Sequence, residues 1–376
     1  MKPWDVAIIG GGLAGSAAAL GLAQAGRKVI LLEKEATAYD KVCGEFISQE
    51  AQRHLTELDV DLAALGATKI TDIRLMRHKQ LVSAPLPFHA QSLSRRLLDE
   101  SILVRAEENG AQVVREAFVT SLIKEPSGWR MEIAGRETLH ADTVFLATGK
   151  HEVRGWHRVS GSHNNFVGFK LHVHLAPEQR KNLEKHVDMF LFDGGYGGLE
   201  PIEEGKANLC LVVSKRRLIH YGKNWDHLYN KILETTPPLA DRLNGATPCW
   251  PRPLSIFGIP YGFVYRPASN APTKIYRLGD QMAVIPSFSG YGMSIALHTA
   301  KHAVKCYLQS DDVAYHNRTR IELLPLVRRA TCLSKIAMLP VIQQILFSAC
   351  RLRPQCITAL AAHTHARQEP GLLPFD

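Results

Sequence analysis

The residues best placed to do chemistry lie near the start of the chain, where Gly10-Gly11-Gly12-Leu13-Ala14-Gly15 follows the apolar run Trp4 to Ile9. Gly10 permits a tight turn out of a strand, Gly12 lets the backbone approach a pyrophosphate, and Gly15 lets a helix pack closely on a sheet. Leu13 and Ala14 would open that helix, and its unpaired N-terminal amides would face the phosphates. Glu33 closes a second apolar run, at the spacing where a carboxylate accepts a ribose 2′-hydroxyl and repels a 2′-phosphate. Lys34 beside it is counted with the same nucleotide site. Strand, glycine turn, helix and acid together predict a bound dinucleotide and disfavour NADP as the resident one.

A second glycine-bearing segment stands far down the chain. Ile275-Tyr276-Arg277-Leu278-Gly279-Asp280 precedes Pro286-Ser287-Phe288-Ser289-Gly290-Tyr291-Gly292-Met293 and a helical pattern through Ala296, Ala300 and Ala303. This segment resembles the Gly-Asp motif of the p-hydroxybenzoate hydroxylase and geranylgeranyl reductase superfamily. The resemblance implies FAD as the cofactor. Asp280 would bind the ribityl chain, and Gly290, Gly292 and Met293 would bring a helix start to the flavin pyrimidine, where it stabilises the charge that develops on reduction.

Further matches carry the same resemblance. Leu93-Ser94-Arg95-Arg96-Leu97-Leu98-Asp99 is similar to the family's R-x-x-L-D, which implies Arg95 near the diphosphate and Asp99 capping or bracing the helix. Lys41-Val42-Cys43-Gly44-Glu45 looks like the K-x-C-G-[GE] stretch of geranylgeranyl reductase-like enzymes, which implies Cys43 and Gly44 close to flavin and substrate. Gly194-Gly195-Tyr196-Gly197-Gly198-Leu199-Glu200-Pro201 resembles the reductases' G-Y-x-W-x-F-P cavity motif without its Trp and Phe. By family position, Cys43, Tyr196 and Tyr291 are the candidate proton donors at the reacting face. These matches touch most of the chain up to about residue 310.

One departure concerns the electron donor. The strand Thr143 to Ala147 ends in Thr148-Gly149-Lys150-His151, where many flavin hydroxylases carry Asp-Gly. Gly149 keeps a turn familiar from flavoproteins, but the acidic residue is missing, so NADH or NADPH remains a candidate donor without the usual contact. Lys150, His151 and Arg154 read as an exposed basic loop in preference to an anion site.

These residues need a sizeable scaffold, and 376 residues with 45% hydrophobic content supply one. The sequence predicts an α/β fold: a Rossmann-like FAD/NAD(P)-binding domain (1–70, 90–155 and 273–310) interleaved with an antiparallel-sheet substrate domain (71–89 and 156–272). Helices at 178–185 and 225–235 are expected within the latter, and a C-terminal helical region spans 311–376. Seven cysteines without a C-x-x-C pair, and no signal peptide ahead of the first strand, suit a reducing cytoplasm. His172 and His174 share one face of a strand and read as structural or surface groups, so no metal site is expected.

In the last region, Leu, Ile and Met mix with Arg318, Arg320, Arg328, Arg329, Lys335, Arg351 and Arg353. It lacks the run of about 20 apolar residues that a spanning helix needs, and Pro340 would break one. A helical cap with a basic rim is expected, with peripheral contact to an anionic membrane as the alternative. The net charge of +9 is diffuse and lacks aromatic platforms, which argues against nucleic acid.

The function these expectations favour is an FAD-dependent monooxygenase or hydroxylase acting on a hydrophobic or aromatic small molecule of secondary or lipid-like metabolism through a flavin C4a-hydroperoxide. That choice rests on the superfamily resemblance and on the missing aromatic pair. The alternatives are a geranylgeranyl reductase-like enzyme saturating C=C bonds and a flavin-binding redox sensor without turnover. The W-x-W-x-I-P motif of flavin halogenases is not found; Ser255 to Pro260 is the nearest stretch and lacks both tryptophans.

Overall fold

A computed structural model describes residues 4–158 and 165–364. The stretch of the expected C-terminal helical region beyond residue 364 lies outside them.

The chain opens with β1 (Trp4–Ile9), α1 (Leu13–Gln24) and β2 (Val29–Leu32). Nearly every residue of α1 is buried, because its Ala/Leu surface packs on the sheet, on α3 and on α8 at once. Next come β3 (Phe46–Ile47), α2 (Gln49–Glu57), the long hairpin β4 (Thr68–Arg77) and β5 (Gln80–Ser92), and α3 (Arg95–Glu108). Ser48 and Ser94 cap α2 and α3 by accepting from the amides of Ala51 and Leu97. Short β6 (Gln112–Val114) is followed by the meander β7 (Val119–Glu125), β8 (Gly128–Ile133) and β9 (Leu139–Leu146).

The second half begins with β10 (Phe166–His174), α4 (Pro177–Leu183), β11 (Lys185–Phe192), β12 (Gly195–Pro201) and β13 (Lys206–Ser214). Then come α5 (Lys215–His220), α6 (Trp225–Thr235) and α7 (Pro237–Arg242), and the short strands β14 (Thr247–Pro248), β15 (Leu254–Phe257) and β16 (Ile275–Arg277). The described residues end with α8 (Gly292–Leu308), α9 (Asp312–Ala337), α10 (Pro340–Leu352) and α11 (Gln355–Thr364). Helices expected at 178–185 and 225–235 correspond to α4 and α6; α5 and α7 are additional.

Two sheets organise these elements. The first has the order β6-β2-β1-β9-β8-β7, with β16 also paired to β9. Around β1 it is parallel, Val6 lying opposite Val29 and Thr143, which is why β1 and β2 read as unbroken apolar runs. The second has the order β14-β10-β13-β12-β11-β4-β5-β3, with β15 on β10. It is mixed: β11 runs parallel to β4, where an antiparallel sheet was expected. It also recruits Phe46–Ile47, from the segment assigned to the nucleotide domain.

The register of the second sheet sets three rows across β10, β13 and β12: Gly168, Val212 and Tyr196; Lys170, Cys210 and Gly198; His172, Asn208 and Glu200. Alternation puts all nine on one face. The opposite face carries Phe169, Leu171, Leu209, Leu211 and Leu199, which build a separate apolar core with α6 and α7.

α9 carries Pro325 within its length, and Pro340 stands at the start of α10. α10 and α11 pack Phe347, Cys350 and Ile357 on Val82 and Ala84 of β5. Among the described residues no single helix is long and apolar enough to cross a membrane; 314–337 and 341–352 reach that length only together, bent by 99°.

Candidate functional site

The glycine turn after β1 shows why its residue types are needed. A Cβ on Gly15 would stand 1.9 Å from the carbonyl oxygen of Gly10, so the helix can seat against the turn only without a side chain. Gly10 itself has φ +107° and would drive a Cβ to 2.6 Å from Ala147 O. α1 and α8 both begin here with no side-chain cap and no acidic residue in the first turn. Their first amides are therefore available to an anionic or polar ligand.

Both helix starts border a cavity of about 530 Å³. At its nucleotide end lie Gly10, Gly12, Leu13, Ala14, Glu33, Lys34, Cys43, Gly44 and Arg95; from the distant segments come Gly149, Gly279, Asp280, Gly290, Gly292 and Met293. Gly15 lies behind the wall as a packing residue. Val42, Phe46, Val212, Ile256, Ile259 and Val284 give the lining an apolar stretch.

Several of these groups are already engaged. Glu33 accepts from the amide of Gly11 at 2.6 Å and from that of Glu35 at 3.0 Å, which fixes its carboxylate beside the turn. Lys34 pairs with Glu35 at 3.3 Å. Arg95 donates twice to Asp99, at 2.7 and 2.8 Å, and Lys41 reaches the same carboxylate at 2.6 Å. Asp99 thus braces two cations; the cap of α3 is Ser94. A Cβ on Gly12 would lie 3.6 Å from Lys41 Nζ and 3.9 Å from both Arg95 Nη2 and Asp99 Oδ2, so the two cations face the turn together with the carboxylate that pairs them. Two cations sharing one carboxylate leave a net positive charge that could hold a diphosphate.

The loop after β9 departs from expectation. It is tied down where an exposed basic loop was anticipated: Lys150 pairs with Asp280 at 2.9 Å, and Gln281 donates to the carbonyls of Gly149 and His151 at 2.9 and 2.8 Å. Arg158 adds bonds to the carbonyls of Lys150 and Asp280. Only His151 and Arg154 of the basic trio are exposed. Burial alone would raise the pKa of Asp280, but the Lys150 charge holds it below the ordinary value.

A buried polar network, which the sequence reading passed over, anchors the Cys43 loop to the second sheet. Glu45, at φ 62°, bonds Lys170 Nζ at 2.5 Å, His172 Nε2 at 2.7 Å and the Arg95 amide at 2.8 Å. Asn208 donates to the carbonyls of Cys43 and Gly44 at 3.1 and 2.9 Å. Burial pushes the Glu200 carboxyl well above its ordinary pKa, with the Glu45 charge adding to it. His172, expected as a structural or surface group, is buried and hydrogen-bonded to Glu45; the hint was the polar Lys170-x-His172 alternation in an apolar strand.

At the apolar end, Tyr196 and Tyr261 both hydrogen-bond the Ser287 hydroxyl, at 2.9 and 3.0 Å. Burial raises both phenol pKa values and lifts that of the Cys210 thiol to about 12, so all three keep their protons at neutral pH. Ser287, Tyr261 and Cys210 line the cavity, and Tyr196 reaches it through Ser287. Tyr291 does not line it and packs, partly buried, against the apolar cluster that α8 and α9 build with Met282 and Ile285.

The residues present fit an FAD: uncapped helix starts, a cationic cradle, an acid beside the turn, and an apolar chamber beyond. Comparison with known proteins agrees. The family described as Pyridine nucleotide-disulphide oxidoreductase matches residues 4–200. Menaquinone reductase of Mycobacterium tuberculosis is 25% identical over 332 residues, spanning 82% of this chain and 78% of its own. Digeranylgeranylglycerophospholipid reductase 2 of Methanopyrus kandleri is 30% identical over 227 residues, or 56% of this chain and 54% of that protein. A solved flavoprotein/dehydrogenase from Cytophaga hutchinsonii superposes with a TM-score of 0.80 at 15% identity, covering 96% of this chain and 92% of that one, a likeness of fold.

Proposed function

Because the chain belongs to the pyridine nucleotide-disulphide oxidoreductase family and is an FAD-dependent oxidoreductase, we propose that it reduces a carbon–carbon double bond in a hydrophobic, polyprenyl- or quinone-bearing small molecule. The observation that carries this reading is the set of neutral, proton-holding groups at the apolar end of the cavity. Bound FAD would supply the hydride. Gly10 to Ala14, Lys41, Arg95 and Asp280 would hold and orient it. Ser287, backed by Tyr196 and Tyr261, or the Cys210 thiol would place a proton on the carbon that does not receive the hydride. The apolar lining excludes water and accepts a greasy chain. The relatives' names point the same way, since each gives a reductase of a lipid with a large apolar part.

A second reading, hydroxylation of a hydrophobic or aromatic molecule, is favoured by one feature: Gly198 and Glu200 stand where the reductase motif carries its Trp and Phe. NADH or NADPH is proposed as electron donor in either case. The two readings separate when enzyme reduced under nitrogen is mixed with a menaquinone or a geranylgeranyl lipid. Reduction of the double bond predicts flavin reoxidation without oxygen and a product whose two added hydrogen atoms persist after any quinone ring is reoxidised; reoxidation only on admitting oxygen, with an oxygen atom gained by the product, favours the second reading.

Delivery of such a substrate is proposed to occur from an anionic membrane. Leu339, Val341 and Ile345 near the α9–α10 corner and Leu352 at the far end of α10 are exposed, Leu352 by 80%. Residues 323–360 carry five basic side chains and no acidic one. Apolar and cationic groups together suit the headgroup region of an anionic bilayer.

A further inference from the structure

Three side chains of metal-ligand type meet away from the cavity, where α8 faces α9. His298 and His302 are one turn apart on α8 with ring centroids 6.1 Å apart, and Glu322 comes from α9. One ligand atom from each lies within 4.8 Å of the other two, and His298 Nε2 is 2.9 Å from Glu322 Oε2. None of the three lines the cavity.

The bonding of His302 fixes its tautomer. Thr319 Oγ1 donates to the Tyr315 carbonyl at 2.7 Å, so at 2.8 Å from His302 Nδ1 it accepts. Nδ1 therefore carries the proton and Nε2 is the acceptor nitrogen. A second ring nitrogen held by a hydrogen-bonded oxygen is the arrangement that orients a ligating imidazole. His302 is buried, whereas His298 and Glu322 are 17% and 20% exposed, which leaves an ion a way in from solvent.

We propose that His298, His302 and Glu322 bind a divalent transition metal of the zinc class, with a fourth position open to water, and that the ion pins α9 to α8. Two imidazoles and a carboxylate are a donor set that zinc accepts at about 2.0–2.2 Å. The other grouping of this kind, Asp40, Glu45 and His172, differs in one respect. Lys170 Nζ already sits 2.5 Å from Glu45 and 3.5 Å from Asp40, so a cation of the protein's own occupies that place.

The test is calorimetric titration of the chelator-stripped, flavin-loaded protein with Zn²⁺, beside His298→Ala, Glu322→Gln and Thr319→Val. One zinc per chain is expected, with binding lost in the first two variants and weakened about 10- to 100-fold in the third. Zinc should raise the melting temperature of the parent and leave that of His298→Ala and Glu322→Gln unchanged, while retained flavin colour shows that both are folded. No stoichiometric binding to the parent, or equal binding in His298→Ala and Glu322→Gln, overturns the proposal.

Discussion

At the scale of single residues, Glu45 concentrates the tension in the molecule. It is buried, holds a left-handed backbone conformation that costs about 1–3 kcal/mol in a residue with a side chain, and ties its own loop and the start of α3 to β10 through its carboxylate. Burial by itself raises its pKa, yet the His172 hydrogen bond and the Lys170 charge prevail and hold it below its ordinary 4.5. A depressed folded-state pKa contributes stability that is present above about pH 4.5 and is lost as pH falls through the lower folded value. Lys170→Met would strand the carboxylate and is expected to cost about 3–5 kcal/mol at neutral pH. Urea unfolding of both proteins should show that gap narrowing as the pH falls and Glu45 takes up a proton; a gap independent of pH would remove Glu45 from this role. Lys170 and His172 were legible as polar alternation in an apolar strand. Their partner lies 125 residues earlier in sequence from Lys170, and no local pattern marks it.

At the scale of elements, what could be read early is what is local. The β1–turn–α1 unit, the end of α3 at Asn109 and the start of α8 each follow from residues within a few positions of one another. The parallel pairing of β11 with β4 joins segments more than a hundred residues apart and leaves no local signature. The clamp between Thr148–His151 and Gly279–Gln281 was hidden for the same reason: Lys150 looks like a surface charge until Asp280 is placed 2.9 Å from it. His298 and His302 also stood at i, i+4 in a plain helical pattern, but Glu322 needed the α8–α9 packing to join them. If these elements form one cofactor cradle, Gly12→Val, at the turn, and Asp280→Ala, at the far segment, should each yield protein that purifies without yellow colour. Full flavin absorbance in both would contradict the cradle.

At the scale of the whole molecule, two sheets share one cavity, and the strands of the second come from two stretches of chain that interrupt the first in sequence. Interleaving was the expectation because residues 10–15, 95–99 and 279–293, far apart in sequence, all resembled parts of one flavin site. The chemistry was not, because specificity is spread over a sheet face whose rows appear only with the register: Tyr196 with Val212 and Gly168, Cys210 with Lys170. The exposed α10 corner gives this architecture an expected partner. Sedimentation with vesicles containing anionic lipid should capture the protein at low salt, less so at high salt, and less again with Val341→Glu and Ile345→Glu combined; capture indifferent to both changes would set the membrane proposal aside. The central claim is tested most directly by a single anaerobic turnover of the reduced flavoprotein with a menaquinone. Reoxidation of the flavin at a rate set by the lipid, with a product that still carries two more hydrogen atoms in its side chain after the ring has been returned to the quinone, is the predicted result; a flavin that stays reduced until oxygen is admitted, or a product that reverts wholly to the starting menaquinone, would contradict it.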